Sequence, residues 1–514
     1  MSLGRTLCVA LVGIDGHLVE VEADVASGLP AFTITGLPDT ALGQARDRVR
    51  AATANSGAPV PMRRVTVNLS PASLPKAGTA FDLAIAVAVL VAARTLPQTA
   101  AAGVVHLGEL GLDGRVRRVA GVLPAVLAAA RAGVDRVVVP AGNAGEAALV
   151  PGVRVHSTRT LGGLVAAYRG EPPPDAETAG DDDDASPEPQ APVTPDLADV
   201  VGQQEARTSL EVAAAGGHHL LLLGPPGAGK TMLARRLPGL LPDLEPEAAL
   251  EVTAVQSLAG VLPPGAGLVV RPPFVDPHHT ASPAAIVGGG TGVPRPGAAS
   301  RAHRGVLFLD EAPEFDARVL ESLRQPLEEG ELVIHRSRGA ARYPARFQLV
   351  LAANPCPCGR ASGKGTECTC TPMARRRYLH RLSGPLLDRV DLQVQVLPVT
   401  RAALDPDVAP EPTAVVAARV RQARTAQARR WAGTGWQLNA QAPGPVLRRG
   451  RWRCHPSATA PLERGVERGT LSVRGYDRVL RTAWTLADLQ GRSSPGADDV
   501  ATAYALRHQG QVAA

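Results

Sequence analysis

Lysine is almost missing from this chain. Lys76, Lys230 and Lys364 are the only three among 54 cationic residues, which leaves 51 arginines. Aromatics are scarce too, at 3%, so the cores have to be built from Val, Leu, Ile and Ala. Cysteine occupies six of 514 positions, four of them clustered. That excludes a disulfide scaffold and makes a reducing cytoplasm the expected setting. Long apolar runs are missing as well. The run from Thr6 to Ile14, after Arg5, is too short to span a bilayer and stops at Asp15 without a small-residue cleavage pattern. Neither export nor a membrane partner is expected.

What is present is an apolar fraction of 45% and a net charge of +6. The first is normal for globular protein and excludes wholesale disorder. The second is too small to establish a nucleic-acid partner. The length suggests three or four domains. Arg over Lys, with 53 Gly and 46 Pro, is the usage of a GC-rich genome. An arginine here carries little information; a retained lysine carries some.

Residues 1–170 alternate short β-like runs with Ala-rich helical stretches, as in Val65 to Leu69, Phe81 to Val91, Leu123 to Ala132 and Arg136 to Val139. This predicts an α/β or α+β domain. Residues 171–196 carry prolines and the run Asp181 to Asp184, and read as a solvated acidic linker. Residues 197–400 show the strand–loop–helix units of a parallel sheet, and 401–514 turn helical. Helices are expected over Ala414 to Arg430, Ser472 to Leu489 and Pro495 to Arg507, the last with Ser494 as cap and Pro495 at the first helical position.

The strand His218 to Leu223 runs into Gly224-Pro225-Pro226-Gly227-Ala228-Gly229-Lys230-Thr231 and then a helical segment. This is G-x-x-x-x-G-K-T in its required context. The glycines let backbone N–H groups converge on phosphate oxygens, and the helix start adds partial positive charge. Lys230 would reach the β- and γ-phosphates and Thr231 would hold Mg2+. Its lysine survives in a chain that otherwise writes arginine, as a site needing a compact ammonium requires. A second strand, Gly305 to Leu309, ends in Asp310-Glu311: the first acid suits Mg2+, the second an attacking water. A third, Phe347 to Ala353, ends at Asn354, whose amide would orient that water. ATP and Mg2+ are the expected ligands. Arg389 and Arg474 stand at element edges, which by itself says nothing in this chain.

The set GPPGAGKT, GVLFLDEAPEF, AANPCPCG, SGPLLDRVD and LSVRGYDRVLRTAWTLADLQG resembles the YifB/ComM family of magnesium-chelatase-like AAA+ ATPases. The likeness continues into residues 1–170, in GLPAFTITGLPDTAL and RRVTVNLSPASLPKAGTAFDLAIA. It implies an AAA+ P-loop core with a helical lid, preceded by a ribosomal-S5-domain-2-like α+β domain. It also implies a homo-hexameric ring with ATP between subunits. Arg389 then matches the arginine finger given to a neighbour, and Arg474 the sensor-2 arginine of the lid. The resemblance identifies residues from about Val255 to Arg304 as an insertion typical of the chelatase branch. Within it, His278-His279 reads as a packing or loop element in preference to a metal site, on the ground that adjacent side chains diverge. The hairpin Leu332 to Tyr343 matches one that points into the pore of related motors. Its Arg336, Arg338 and Arg342 read either as phosphate grips or as a solvated turn.

Cys356, Cys358, Cys368 and Cys370 form C-x-C-x9-C-x-C in a loop with almost no apolar residue. Four thiolates closing on Zn2+ would order it; free thiols and a redox pair are the other readings. Residues 60–145 also resemble the Lon peptidase domain, but Ala80 stands where its serine is expected and the lysine position falls near Leu123. With no hydroxyl and no amine at those positions, peptidase activity is not expected, although Ser70, Ser73 and Lys76 remain nearby. Between residues 414 and 481 fourteen arginines face three acids, with Trp431, Trp436 and Trp452 among them. That suggests a polyanion partner and base stacking, or else a basic lid against ATP and the next subunit. The family resemblance points to two functions: a DNA motor, of the helicase type, driving branch migration during natural transformation, or, as in magnesium chelatase, an ATPase that remodels a protein partner.

Overall fold

The computed structural model describes residues 3–36, 40–172, 195–290, 294–336, 339–361, 368–398 and 410–508. The acidic run Asp181 to Asp184, together with Arg338 and Lys364, lies outside them, and so do the side chain of Arg336 and most of the expected linker.

The N-terminal region is a seven-stranded sheet. Its strands are β1 (Leu3–Val12), β2 (Asp15–Ala26), β3 (Ala31–Thr35), β4 (Arg64–Ser70), β5 (Val105–His106), β6 (Arg136–Pro140) and β7 (Arg154–Thr158), in the order β3-β4-β2-β1-β5-β6-β7. β1, β2 and β4 pair antiparallel, whereas β5, β6 and β7 run parallel. The helix Asp82–Ala92 is apolar all round and buried along its whole length, as a helix sealed inside a domain must be. Asp82 at its first position takes two hydrogen bonds from Arg48, at 2.6 and 2.9 Å.

The second sheet has five strands, all parallel. They are β8 (Leu220–Leu223), β9 (Phe274–Val275), β10 (Val306–Leu309), β13 (Gln348–Ala353) and β14 (Leu392–Gln395), ordered β9-β10-β13-β8-β14. Between β10 and β13 the chain makes a hairpin of β11 (Glu331–Arg336) and β12 (Gly339–Pro344). The central strands read as continuous apolar runs because both faces are covered. Their C-terminal ends therefore open on one side, where α/β sheets carry their ligands.

The C-terminal helices Thr413–Arg430, Pro456–Glu467, Val473–Leu489 and Ala497–His508 pack into the same core as β8 and β14. Ser472 caps its helix by accepting from Gly475 N at 3.0 Å. The last helix departs from expectation. It begins at Ala497 and not at Pro495, and its opening turn is held by Gly496 N donating to Asp499 Oδ2 at 2.8 Å, which displaces Ser494 from the capping role.

The N-terminal sheet is docked on the second unit. Ile14 N donates to Arg342 O in β12 (3.2 Å), and Gly121 N to Ser257 O (3.0 Å). Ser257 Oγ also bonds the buried Glu146 at 2.5 Å.

Candidate functional site

The loop from Gly224 to Gly229 leaves β8 and enters the helix Lys230–Ala234. Gly227 has φ +76° and would carry a Cβ into open space, so its backbone conformation and not crowding calls for glycine. The Lys230 ammonium donates to Gly224 O (2.7 Å), Pro225 O (2.9 Å) and Asn354 Oδ1 (3.0 Å). Burial pulls its pKa below the ordinary lysine value, while Asp310 and Glu311 oppose that shift. Thr231 Oγ1 donates to Asp310 Oδ2 at 2.6 Å. The P-loop, the end of β10 and the end of β13 thus converge on one point because their strands are neighbours. This donor set fits a triphosphate with Mg2+: an ammonium bound only to oxygens it can exchange, and a hydroxyl beside a carboxylate.

Glu311 sits just past β10 with φ +50°, a left-handed conformation that costs a non-glycine residue free energy and recurs at functional positions. Its Oε2 lies 3.2 Å from His279 Nδ1. The two histidine rings do not diverge as adjacent side chains were expected to: their centroids are 4.2 Å apart, stacked at a tilt of 33°. His279 comes from the insertion and was not foreseen at the site. Gln203 was also missed. At φ +53°, it donates its amide to Ala228 O in the phosphate loop at 3.1 Å. The only cue was a Gly-Gln-Gln step before a helix.

Arg389 and Arg474 make no hydrogen bond to this site. Arg389 is nearly buried, bonded to the Glu328 carboxylate and to Pro385 O. Burial lowers its pKa, and the charges of Arg324, Arg474 and Arg478 push the same way. Arg474 is exposed at the start of the helix Val473–Leu489. Asp391, just after Arg389, accepts from Arg478 Nη1 (2.6 Å) and from His219 N (2.9 Å). Burial alone would raise its carboxyl, but Arg478, His218, His219 and Arg481 hold it well below the usual carboxylate range.

The four clustered cysteines meet. Cys356, Cys358 and Cys368 have sulfurs 3.3, 3.6 and 3.7 Å apart, and the ligand atoms of all four lie within 4.8 Å of one another. A tetrahedral site with Zn–S of about 2.3 Å has edges of about 3.8 Å. The spacing therefore fits Zn2+. The Arg360 backbone N–H pulls the Cys358 thiol down to about 6, and burial pushes Cys356 up to about 11.

Trp431 is buried and offers no stacking face, whereas Trp436 and Trp452 are half-buried. Trp431 is 1% exposed, donates Nε1 to Asn439 Oδ1 at 3.1 Å, and packs against Trp436 and Trp452 at 5.8 and 5.4 Å. Much of the basic surplus is also spent internally: Arg419 pairs with Glu211 and Glu411, Arg430 with Asp488, Arg448 with Asp477 and Arg478 with Asp391. Arg421, Arg429, Arg449, Arg464 and Arg468 stay exposed. In the hairpin, the exposed Arg342 lies 3.5 Å from Glu331. In the N-terminal region Leu123 is buried and the Lys76 ammonium bonds Pro71 O.

Comparison with known proteins agrees with this geometry. Residues 196–404 match the family model "Magnesium chelatase, subunit ChlI", residues 21–143 "Subunit ChlI of Mg-chelatase", and residues 410–507 "Magnesium chelatase, subunit ChlI C-terminal". An uncharacterised protein of Mycobacterium tuberculosis is 55% identical over 99% of both chains. The protein YifB of Escherichia coli is 40% identical over 95% of this chain and 94% of its own. The competence protein ComM of Haemophilus influenzae is 41% identical over 96% and 94%.

Proposed function

This chain belongs to the YifB/ComM family of magnesium-chelatase-like AAA+ ATPases, and from that membership we propose that it is a ring motor that hydrolyses ATP between neighbouring subunits and translocates on DNA. One observation carries the nucleotide half: Lys230, Thr231, Asp310 and Asn354 reach a common point from three adjacent strand ends. Bound Mg2+ would supply positive charge to the phosphates. Thr231 and Asp310 would hold it, Lys230 steadies the β- and γ-phosphates, Glu311 polarises the attacking water and the Asn354 amide orients it.

The ring half rests on Arg389 and Arg474. Arg389 is bonded to Glu328 and Pro385 and not to its own phosphate site, as a finger given to a neighbour would be, and Arg474 matches the sensor-2 arginine of the lid. Arg389 must first exchange Glu328 for the neighbour's phosphate, so assembly and activation are linked. A homo-hexamer in the cytoplasm is the assembly this implies, and the four cysteines hold Zn2+.

DNA as the track, and branch migration in recombination during natural transformation as the role, rest on the family resemblance, on a relative named as a competence protein, and on the exposed arginines of the lid with Arg342 of the hairpin. The inward-turned arginines favour the second reading, in which the motor remodels a protein partner as chelatase ATPase subunits do. ATP turnover with and without forked or four-way DNA, beside Lys230→Ala, separates them. DNA stimulation supports the motor on DNA; a flat response to every DNA, with stimulation by a protein partner, supports remodelling.

A further inference from the structure

The cysteine loop is tied to the nucleotide site at two places. Its first thiol, Cys356, follows Asn354 by two residues, and Asn354 Oδ1 accepts from Lys230. After the loop the chain returns as the helix Pro372–Leu379, which begins two residues past Cys370 and is capped by Thr371, accepting from Ala374 N at 3.2 Å. Tyr378, on that helix, is buried. Gly359, between the first two thiols and the rest of the loop, has φ +76° and lies directly against the phosphate loop. A Cβ there would fall 2.5 Å from Pro226 Cδ and 2.6 Å from Cγ. The excursion thus starts beside Asn354 and lies against Pro226 on the way.

Nothing apolar in the loop can hold that arrangement. Pro357, Gly359, Arg360, Ser362 and the glycines around Lys364 offer no core, whereas the four sulfurs stand at the spacing of a tetrahedral metal site. Metal binding in such a loop is folding free energy.

We propose that Zn2+ on Cys356, Cys358, Cys368 and Cys370 is a clip that fixes Asn354 and Pro226, so that metal occupancy sets the affinity of the phosphate loop for nucleotide. This rests on the ATP and zinc readings above. It adds that the metal acts on the nucleotide site and does not merely order a distant surface loop. A reducing, zinc-replete environment then keeps the motor competent, and loss of zinc disables it without any change to Lys230 or Asp310.

The test uses the full-length protein in four forms: as purified, stripped by a chelator, Cys356→Ser/Cys370→Ser, and Gly359→Ala. Metal per chain, the Kd of a fluorescent ATP analogue, and hydrogen exchange at residues 224–231 are measured on each. The purified protein should hold one zinc. Stripping and the double substitution should remove it, weaken nucleotide binding at least tenfold and speed exchange in the phosphate loop, and added zinc should rescue only the stripped protein. Gly359→Ala, which keeps every thiol, should retain zinc yet bind nucleotide several-fold more weakly. Absence of zinc from the purified protein, or its departure with no change in exchange at 224–231, overturns the clip. A zinc-loaded protein that binds no nucleotide would instead overturn the ATP reading, while the exchange comparison still decides the clip.

Discussion

His279 Nδ1 lies 3.2 Å from Glu311 Oε2, so the acid that would orient the attacking water is held by a side chain of the insertion. The register explains it. Val275 pairs with Leu307 across β9 and β10, and each histidine or glutamate stands four residues past its own strand partner. A carboxylate engaged this way is not free for water. His279→Ala should therefore raise turnover in the absence of a partner, by about tenfold if the contact withholds about 1.4 kcal/mol, and should shrink any stimulation by DNA. A fall in turnover would mean that His279 aims Glu311 instead of restraining it. Steady-state ATPase assays on both proteins decide.

The Lys230 ammonium has three oxygen partners, and only Asn354 is a side chain. Asn354→Ala should leave nucleotide binding within a few-fold of wild type but lower turnover by about a hundredfold, the usual size for losing one aligned polar group. Lys230→Ala should abolish binding itself. Parallel Kd and kcat measurements separate the two effects.

Arg389 is bonded to Glu328 inside its own protomer and makes no hydrogen bond to the described residues of its own phosphate site. Arg389→Ala should cut turnover by about 10³-fold or more, the scale of an arginine finger. Mixing Arg389→Ala with Lys230→Ala subunits should restore activity above either alone, since some interfaces then pair an intact loop with an intact arginine. No recovery on mixing would count against shared sites.

Arg478 carries a structural prediction. Its guanidinium pairs with a carboxylate that is almost fully buried, 2.6 Å away. Arg478→Ala takes away the guanidinium bonded to Asp391 and leaves the buried carboxylate only the His219 N–H and more distant charges, at a cost of up to about 3–5 kcal/mol. Thermal unfolding should show a clear fall in Tm, and Arg478→Ala/Asp391→Asn should recover part of it.

Acid should destabilise the protein before its carboxylates titrate. Burial pulls His218 and His219 down to about 4 and His106 to about 3. His219 Nδ1 accepts from Leu349 N at 3.0 Å and so must be unprotonated. These histidines are neutral when folded and take protons first when unfolded, at about pH 6.5. Their stabilisation is complete above that pH and is lost as pH falls towards 4, on the order of a few kcal/mol in all. Tm measured from pH 7.5 to 4.5 should decline, and His219→Gln should flatten the slope.

The phosphate loop and the two strand ends were legible because their signals are local: a glycine pattern between a strand and a helix, and polar residues ending apolar runs. The four cysteines were legible by spacing. Side chains supplied from elsewhere were not. Nothing near His279 in the chain announces Glu311, thirty-two residues on, and the rule that neighbouring side chains diverge failed because a loop beyond a strand end lets both rings turn the same way. Trp431 was illegible for a related reason. Between arginines it resembles part of a stacking surface, but it is buried in the core of the helical region, whereas Trp436 and Trp452 stay half-buried.

The sequence by itself determined the chemistry on offer: a lysine kept among arginines, a hydroxyl, two acids, an amide and four thiols, each placed by short-range pattern. Only the tertiary structure decided what those groups face. Strand order brought Lys230 to Asn354, parallel register brought His279 to Glu311, and packing turned Arg389 onto Glu328 and Gly359 onto Pro226. The physical reason is range: backbone periodicity extends over a few residues, whereas burial and charge pairing are settled between segments that meet only when the sheet closes.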